Sequence, residues 1–284
     1  MNYDAINTKV RALKSRLLTI SDYHLLCRVE SVEALYARLN LNEEQLAQSM
    51  AGDLKNLQRI LRFMGDSQGR RSLLPQIIQI ESNFIKQQLR VARNTKEFIN
   101  ELRDTDFYNI LLPVQEKGLF AMEMQMDLHY HLQAWESARR LTEWQNRAAL
   151  MYIRGVDIDL HNIMWAYRYK RYYPDIYPLL IPVHYRLSKG ALGRLIDSAT
   201  PEALASELKF TPYDGVFGNF EEPEPSYVQA MRRILSVTAR RYPRSVTTVV
   251  GYFFNKRVEM QNLTTIIEGL RYKLPADDIF RLLK

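Results

Sequence analysis

The sequence predicts an all-α protein assembled from helix pairs, in about three lobes, and three observations support this. Apolar residues recur three and four apart through most of the chain, and no stretch alternates as a half-buried strand does. Glycine and proline number only 11 each and cluster between the periodic segments, a pattern of long helices with short breaks. Two phrases occur twice. Asp159-Leu160-His161-Asn162-Ile163 returns as Glu259-Met260-Gln261-Asn262-Leu263. Ser31-Val32-Glu33-Ala34-Leu35, ending at Leu39, returns as Thr200-Pro201-Glu202-Ala203-Leu204, ending at Leu208. A helical unit used more than once accounts for both echoes.

Taken in order, residues 3 to 19 read as an amphipathic helix with Ile6, Val10, Leu13 and Leu17 on one face. Ser21 and Ser31 suit the N-caps of two short helices. Asn42, Glu43 and Glu44 open a helix striped by Leu46, Met50, Leu54, Leu57 and Leu61, which Gly65 ends. Asp66 to Ser72 reads as a polar turn, and a long helix then runs from about Leu73 to Arg103. Asp104-Thr105-Asp106 and Pro113 break the chain before a Met- and Leu-rich helix from Glu116 to Trp144. One helix follows through Tyr152, and another, Val156 to Tyr173, carries the first Asn phrase. Pro178 and Pro182 mark a connection, and helices start at Ser188 and Thr200. Residues 209 to 225, with Pro212, Gly215, Gly218, Pro223 and Pro225, form the clearest interruption. Helices from Pro225 to Arg241 and from Ser245 to Tyr272 come next, with a short one after Pro275.

In both Asn phrases the acid precedes the Asn by three residues, and the Asn sits in an apolar stripe. The stripes are Ile158, Asn162, Ala166 and Phe254, Val258, Asn262, Ile266, Leu270. Residues four apart share a helix face, so each amide is offered to a core and needs partners there. Asp159 and Glu259 could be imagined as paired catalytic carboxylates. The stronger reading places each beside its Asn, paired with an Arg or Lys of a neighbouring helix.

Net charge is 39 − 32 = +7, which suits an acidic protein surface, a nucleic acid or an anionic membrane face. The single cysteine, Cys27, cannot form an internal disulfide and reads as a small apolar filler. The first residues carry no signal-peptide apolar core, and no apolar run approaches the roughly 20 residues of a membrane helix. Nucleophile elbows, phosphate loops and dinucleotide fingerprints are absent. His129 and His131 point to different helix faces and His161 and His184 stand alone, so no metal site is expected, nor a cofactor. The segment Tyr167-Arg168-Tyr169-Lys170-Arg171-Tyr172-Tyr173 mixes rings with cations. It could stack on single-stranded nucleic acid, line a protein interface, or simply be an exposed helix end. Arg168, Lys170 and Arg171 are the candidate partner contacts.

Read in their surroundings, these phrases resemble the C subunit of the V/A-type rotary ATPases, which is similar to the d subunit of the eukaryotic vacuolar enzyme. The likeness runs nearly end to end. It includes the opening Val10 to Leu18, the stretch Tyr23 to Leu39, Asp157 to Lys170 with Arg168, and Leu180-Ile181-Pro182 followed by Tyr185-Arg186-Leu187-Ser188. Pro212-Tyr213 and the specific run Tyr252 to Leu263, with Gly269 and Pro275 beyond, complete it. Glu268 and Leu270 depart from the family, standing where an Arg and a Lys are common. The resemblance implies one family-wide all-helical domain over residues 1–284, a funnel of three pseudo-symmetric lobes near 1–106, 107–210 and 211–284. It implies a non-catalytic rotor subunit on the cytoplasmic face of the membrane. This subunit seats the central shaft on the membrane ring while proton or sodium transport is coupled to ATP hydrolysis or synthesis. It implies no nucleic acid, although a helical nucleic-acid-binding protein using Tyr167 to Tyr173 is the competing class.

Overall fold

The computed structural model describes residues 3–40, 60, 62, 67–170, 172–173, 175–198, 200–218, 220 and 222–284. The helix expected from Asn42 to Gly65 lies largely outside them. Among the described residues every regular element is helical and no strand occurs. The helices are α1 (Asp4–Lys14), α2 (Ile20–Leu26), α3 (Val32–Leu39), α4 (Ser67–Val91), α5 (Thr95–Glu101) and α6 (Asp106–Leu111). A 3-10 helix, Leu112–Lys117, leads to α7 (Leu119–Arg139) and α8 (Trp144–Tyr169). Then come α9 (Lys189–Asp197), α10 (Pro201–Leu208), α11 (Pro223–Arg241), α12 (Thr247–Arg271) and α13 (Ala276–Arg281).

The chain divides into two compact units, Met1–Gly69 with Glu224–Lys284, and Arg70–Pro223. The first unit therefore joins segments from both ends of the sequence. There α1 packs along α12. Asn7 Nδ2 donates to the carbonyls of Pro243 and Ser245 at 3.2 and 3.4 Å. Its core gathers Tyr23, Leu26, Cys27 and Leu35 from the N-terminal helices with Met260, Leu263 and Ile266 of α12 and Ile279 of α13. Cys27 is 3% exposed and burial raises its thiol pKa, as an apolar filler requires. In the second unit the α7–α8 hairpin is central. Alongside it, Lys86 of α4 pairs with Asp127 at 2.5 Å, and Arg90 grips Glu123 with two nitrogens at 2.7 and 3.0 Å.

The repeated phrases become repeated structure. Helices α3 and α10 have eight residues each. Ser31 Oγ accepts from Ala34 N–H at 3.2 Å, and Thr200 Oγ1 accepts from Ala203 N–H at 3.2 Å. Leu35 and Leu204 are both fully buried. Helices α2 and α9 precede them, capped by Thr19 and Ser188.

Several boundaries differ from those the sequence predicts, each for a local reason. Helix α1 stops at Lys14, because 15–19 turn to present Leu18 and the cap. The cap of α2 is Thr19, not Ser21. Thr19 Oγ1 accepts from Asp22 N–H while Asp22 accepts from Thr19 N–H, a closed capping box. The polar turn expected at Asp66 to Ser72 is helical from Ser67. The long helix expected to Arg103 ends at Val91, and Asn94 caps α5 through the N–H groups of Lys96 and Glu97. Helix α7 starts at Leu119 rather than Glu116, because Gly118 takes φ +88°, a conformation glycine adopts without strain. It ends at Arg139, and Glu143 caps α8. Helix α8 runs unbroken through Gly155, where the sequence predicts two helices.

Candidate functional site

Asp159 lies in α8, 1% exposed, and is saturated with donors. Its Oδ1 accepts from Tyr185 N–H at 3.2 Å, and its Oδ2 from Arg186 and Leu187 N–H at 2.7 and 2.9 Å. The Tyr213 hydroxyl donates to Oδ2 at 2.6 Å. Three successive N–H groups converging on one anion form a nest, and the phenol closes it. Burial, the Asp159 charge and its hydrogen bond all push the Tyr213 pKa far above its ordinary value, so it remains a donor. Three residues on, Asn162 is wholly buried. Its Oδ1 accepts from Ile181 N–H at 2.9 Å and its Nδ2 donates to Ile181 O at 3.0 Å. One side chain thus satisfies both backbone groups of a residue that no helix can serve.

The second phrase makes the same clasp. Glu259, 5% exposed, accepts from Leu18 N–H at 2.6 Å and from Lys256 Nζ at 2.5 Å. Asn262 Oδ1 accepts from Lys284 N–H at 2.8 Å, and its Nδ2 donates to Lys284 O at 3.0 Å. Leu18 immediately precedes the cap of α2, and Leu187 immediately precedes the cap of α9. Toward α12, the N-terminal segment thus holds the place that 187–208 holds toward α8. The expected pairing of each acid with a cation on a neighbouring helix is corrected. Asp159 bonds backbone and a phenol, and the cation beside Glu259 is on its own helix. The cause is that each long helix abuts irregular backbone whose donors lack helical partners. Neither acid is placed as a catalytic carboxylate, since both spend their lone pairs on the fold.

Two outcomes are expected from these clasps. Asn162→Leu strands the N–H of fully buried Ile181, whose C=O keeps the Val183 N–H at 2.8 Å, and costs about 3 kcal/mol. Asn262→Leu frees the backbone groups of Lys284, which is half-buried and open to water, and removes the hydrogen bond to the Tyr23 phenol, at a cost of about 1–2 kcal/mol. Urea denaturation checks the order, and equal losses would contradict it. The second outcome concerns alkali. Burial pushes the Tyr23 phenol up to about 12; the Asn262 hydrogen bond opposes this and the Glu259 charge adds to it. Both Tyr23 and Tyr213 are neutral in the fold, whereas unfolded tyrosine ionises near 10. Their stabilisation is complete below that value and is lost as pH rises through about 12, by about 2 kcal/mol for Tyr23. Denaturation midpoints that stay level from about pH 9 to about pH 12 would contradict this.

At the end of α8, Arg168 is exposed. The Lys170 ammonium donates to the Ser198 carbonyl. Arg171 lies outside the described residues. The rings are mostly committed to the fold. Tyr167 is 4% exposed and lies 5.5 Å from the Phe220 ring. Tyr169 and Tyr173 pack on Phe120 at 5.0 and 5.4 Å. Tyr172 is 77% exposed. A stacking platform needs several open ring faces in a row, which this arrangement does not offer.

The fold also assembles a group that sequence reasoning misses. His131 of α7 meets Asp157 and His161 of α8, with one donor atom from each within 4.8 Å of the others. His131 Nδ1 lies 3.8 Å from Asp157 Oδ2, and His161 Nδ1 lies 3.2 Å from Oδ1. The imidazole centroids are 4.4 Å apart, with Trp165 edge-on to both. Burial alone raises the Asp157 pKa, but His161, His131 and Arg154 outweigh it and hold the carboxyl well below its usual range. The sequence signal is half present, as Asp157 and His161 are one helical turn apart.

No described helix is long and apolar enough to cross a membrane. A family model described as ATP synthase (C/AC39) subunit matches residues 47–282. The C subunit of the A-type ATP synthase of Methanosphaera stadtmanae is 24% identical to this chain over 257 residues. That match covers 81% of this chain and 65% of the relative, so it spans slightly less than two thirds of the relative's length.

Proposed function

Because the chain belongs to the ATP synthase (C/AC39) subunit family, we propose that it is the rotor piece joining the central shaft of an A/V-type ATPase to its membrane ring. The observation that carries this reading is the family match across residues 47–282, which takes in both acid–Asn pairs, Asp159 with Asn162 and Glu259 with Asn262. A part that transmits torque must resist bending. Here the irregular segments between helices are pinned by buried side chains rather than left to solvent, which suits such a part. Three helices of 25, 26 and 25 residues, α4, α8 and α12, suit a unit used three times, one in each expected lobe near 1–106, 107–210 and 211–284, although the N-terminal helices of the first share a core with α12 of the third. The subunit performs no reaction itself and works at the cytoplasmic face, peripheral to the bilayer. The rings of Tyr167, Tyr169 and Tyr173, packed on Phe220 and Phe120, favour this reading over nucleic-acid binding.

Exposed Arg168 is the partner contact we assign first. Net charge +7 favours a partner whose facing surface is acidic. Binding of the purified chain to the detergent-solubilised ring and shaft subunits of its own complex is therefore expected, weakening as salt rises. Arg168→Glu is expected to weaken it roughly fivefold while the chain stays folded by circular dichroism. Absence of binding at low salt would overturn the assignment of partners. Binding without salt dependence would overturn the role of charge. Saturable binding of single-stranded RNA at moderate salt would favour the competing class.

A further inference from the structure

We propose that His131, Asp157 and His161 bind a divalent transition-metal cation of the zinc class, which ties α7 to α8. The proposal rests on four features of the site. The first is placement: Asp157 and His161 stand one turn apart on the same face of α8, and His131 reaches them from α7. Helix bundles build metal sites in their cores from side chains on facing helices, and an i, i+4 pair turns two ligands to one side of its helix.

The second is the donor set. Two imidazoles and one carboxylate suit zinc and its transition-metal neighbours, whereas calcium and magnesium take oxygen ligands. The third is tautomer control. His161 Nδ1 lies 2.8 Å from the Asp157 carbonyl oxygen, which can only accept. With Nδ1 donating there, Nε2 is the ring nitrogen that offers its lone pair to a cation. An outer hydrogen bond of this type, to a backbone carbonyl, commonly orients a metal-bound histidine. The fourth is environment. His131 and Asp157 are 3% and 4% exposed, while the His161 side chain retains 18% and gives an entry path from solvent.

Two features set the cost. Closing the donors to the roughly 3.4 Å edge of a tetrahedral site requires the imidazoles to rotate. The Arg154 guanidinium, which donates to the Tyr130 hydroxyl at 2.9 Å, opposes added positive charge. The proposal is independent of the rotor assignment, and its failure leaves that assignment untouched.

The test uses the full chain, stripped with a chelator and dialysed against zinc, then against cobalt as a spectroscopic probe. Expected are about one zinc per chain, a raised melting midpoint, and the strong visible bands of four-coordinate cobalt. His131→Gln and His161→Gln are each expected to weaken zinc binding at least tenfold, while exposed His184→Gln leaves it unchanged. Failure of the folded wild-type chain to take up zinc, or uptake that survives both ligand substitutions, overturns the proposal. Should either variant fail to fold, the wild-type cobalt spectrum decides. Weak six-coordinate bands, or none, refute the site.

Discussion

Asp159→Asn is expected to destabilise the protein by about 4 kcal/mol and to lower its melting midpoint by roughly 10 °C. The carboxylate accepts four hydrogen bonds, three from the backbone of Tyr185 to Leu187 and one from Tyr213. An amide has one oxygen instead of two and carries no charge, and its NH₂ group would face donors. With its NH₂ at the Oδ1 position the amide leaves Tyr185 N–H without a partner, at about 1–3 kcal/mol, and the other three bonds weaken because charge-assisted bonds are the stronger kind. The effect should extend beyond the mutated helix. Segment 185–187 leads into the Ser188 cap of α9, so protection of α9 amides from hydrogen exchange is expected to fall with stability. A midpoint within about 2 °C of wild type would show that the nest is not a principal support. Substituting Tyr213→Phe separates the phenol from the nest, and a loss of about 1–2 kcal/mol is expected there.

Gly155→Ala is expected to destabilise by about 3 kcal/mol, the opposite of the usual sign. Replacing glycine by alanine inside a helix ordinarily stabilises by roughly 0.5–1 kcal/mol. At Gly155 an added Cβ would lie 2.2 Å from Tyr185 Cγ and within 2.6 Å of both Cδ atoms. The ring cannot swing freely, since its backbone N–H is held by Asp159 and its faces meet Trp135 and Tyr152. Either the helix shifts or Tyr185 leaves its seat and strains the nest. Gly155→Ala and Asp159→Asn should therefore be less than additive, because each disturbs the same segment. Alanine at the exposed, unobstructed Gly190, in the first turn of α9, provides a control, with an effect within about 0.5 kcal/mol.

These two residues show what is legible in the sequence. The clasp helices can be read because acid and Asn stand three apart in an apolar stripe, a local spacing. The partners of those acids cannot, because they are backbone groups brought near only by the fold: Asp159 finds Leu187 28 residues on, and Glu259 finds Leu18 241 residues back. The caps Ser31, Ser188 and Thr200 are readable as short polar residues before apolar runs. Ser21 competes with Thr19 as a cap on residue type alone, and spacing decides between them, since Thr19 stands three residues before Asp22 and Ser21 does not. Gly155 reads as a break between helices because its packing reason lies 30 residues on, in Tyr185. The basic, aromatic helix end is visible as composition, but composition does not reveal which rings turn inward on Phe120 and Phe220. The His–Asp–His group is hidden because only Asp157 and His161 are near in sequence, and the third ligand arrives through the α7–α8 hairpin.

The chain, we propose, carries rotation between shaft and ring and performs no reaction of its own. Parallel assays of ATP hydrolysis and ATP-driven ion uptake, in vesicles bearing the complex rebuilt with and without this chain, test it most directly. The account predicts that hydrolysis by the head persists without the chain, that ion uptake disappears, and that adding the chain back restores uptake in proportion to its occupancy. Undiminished ion uptake in vesicles that lack the chain would contradict it.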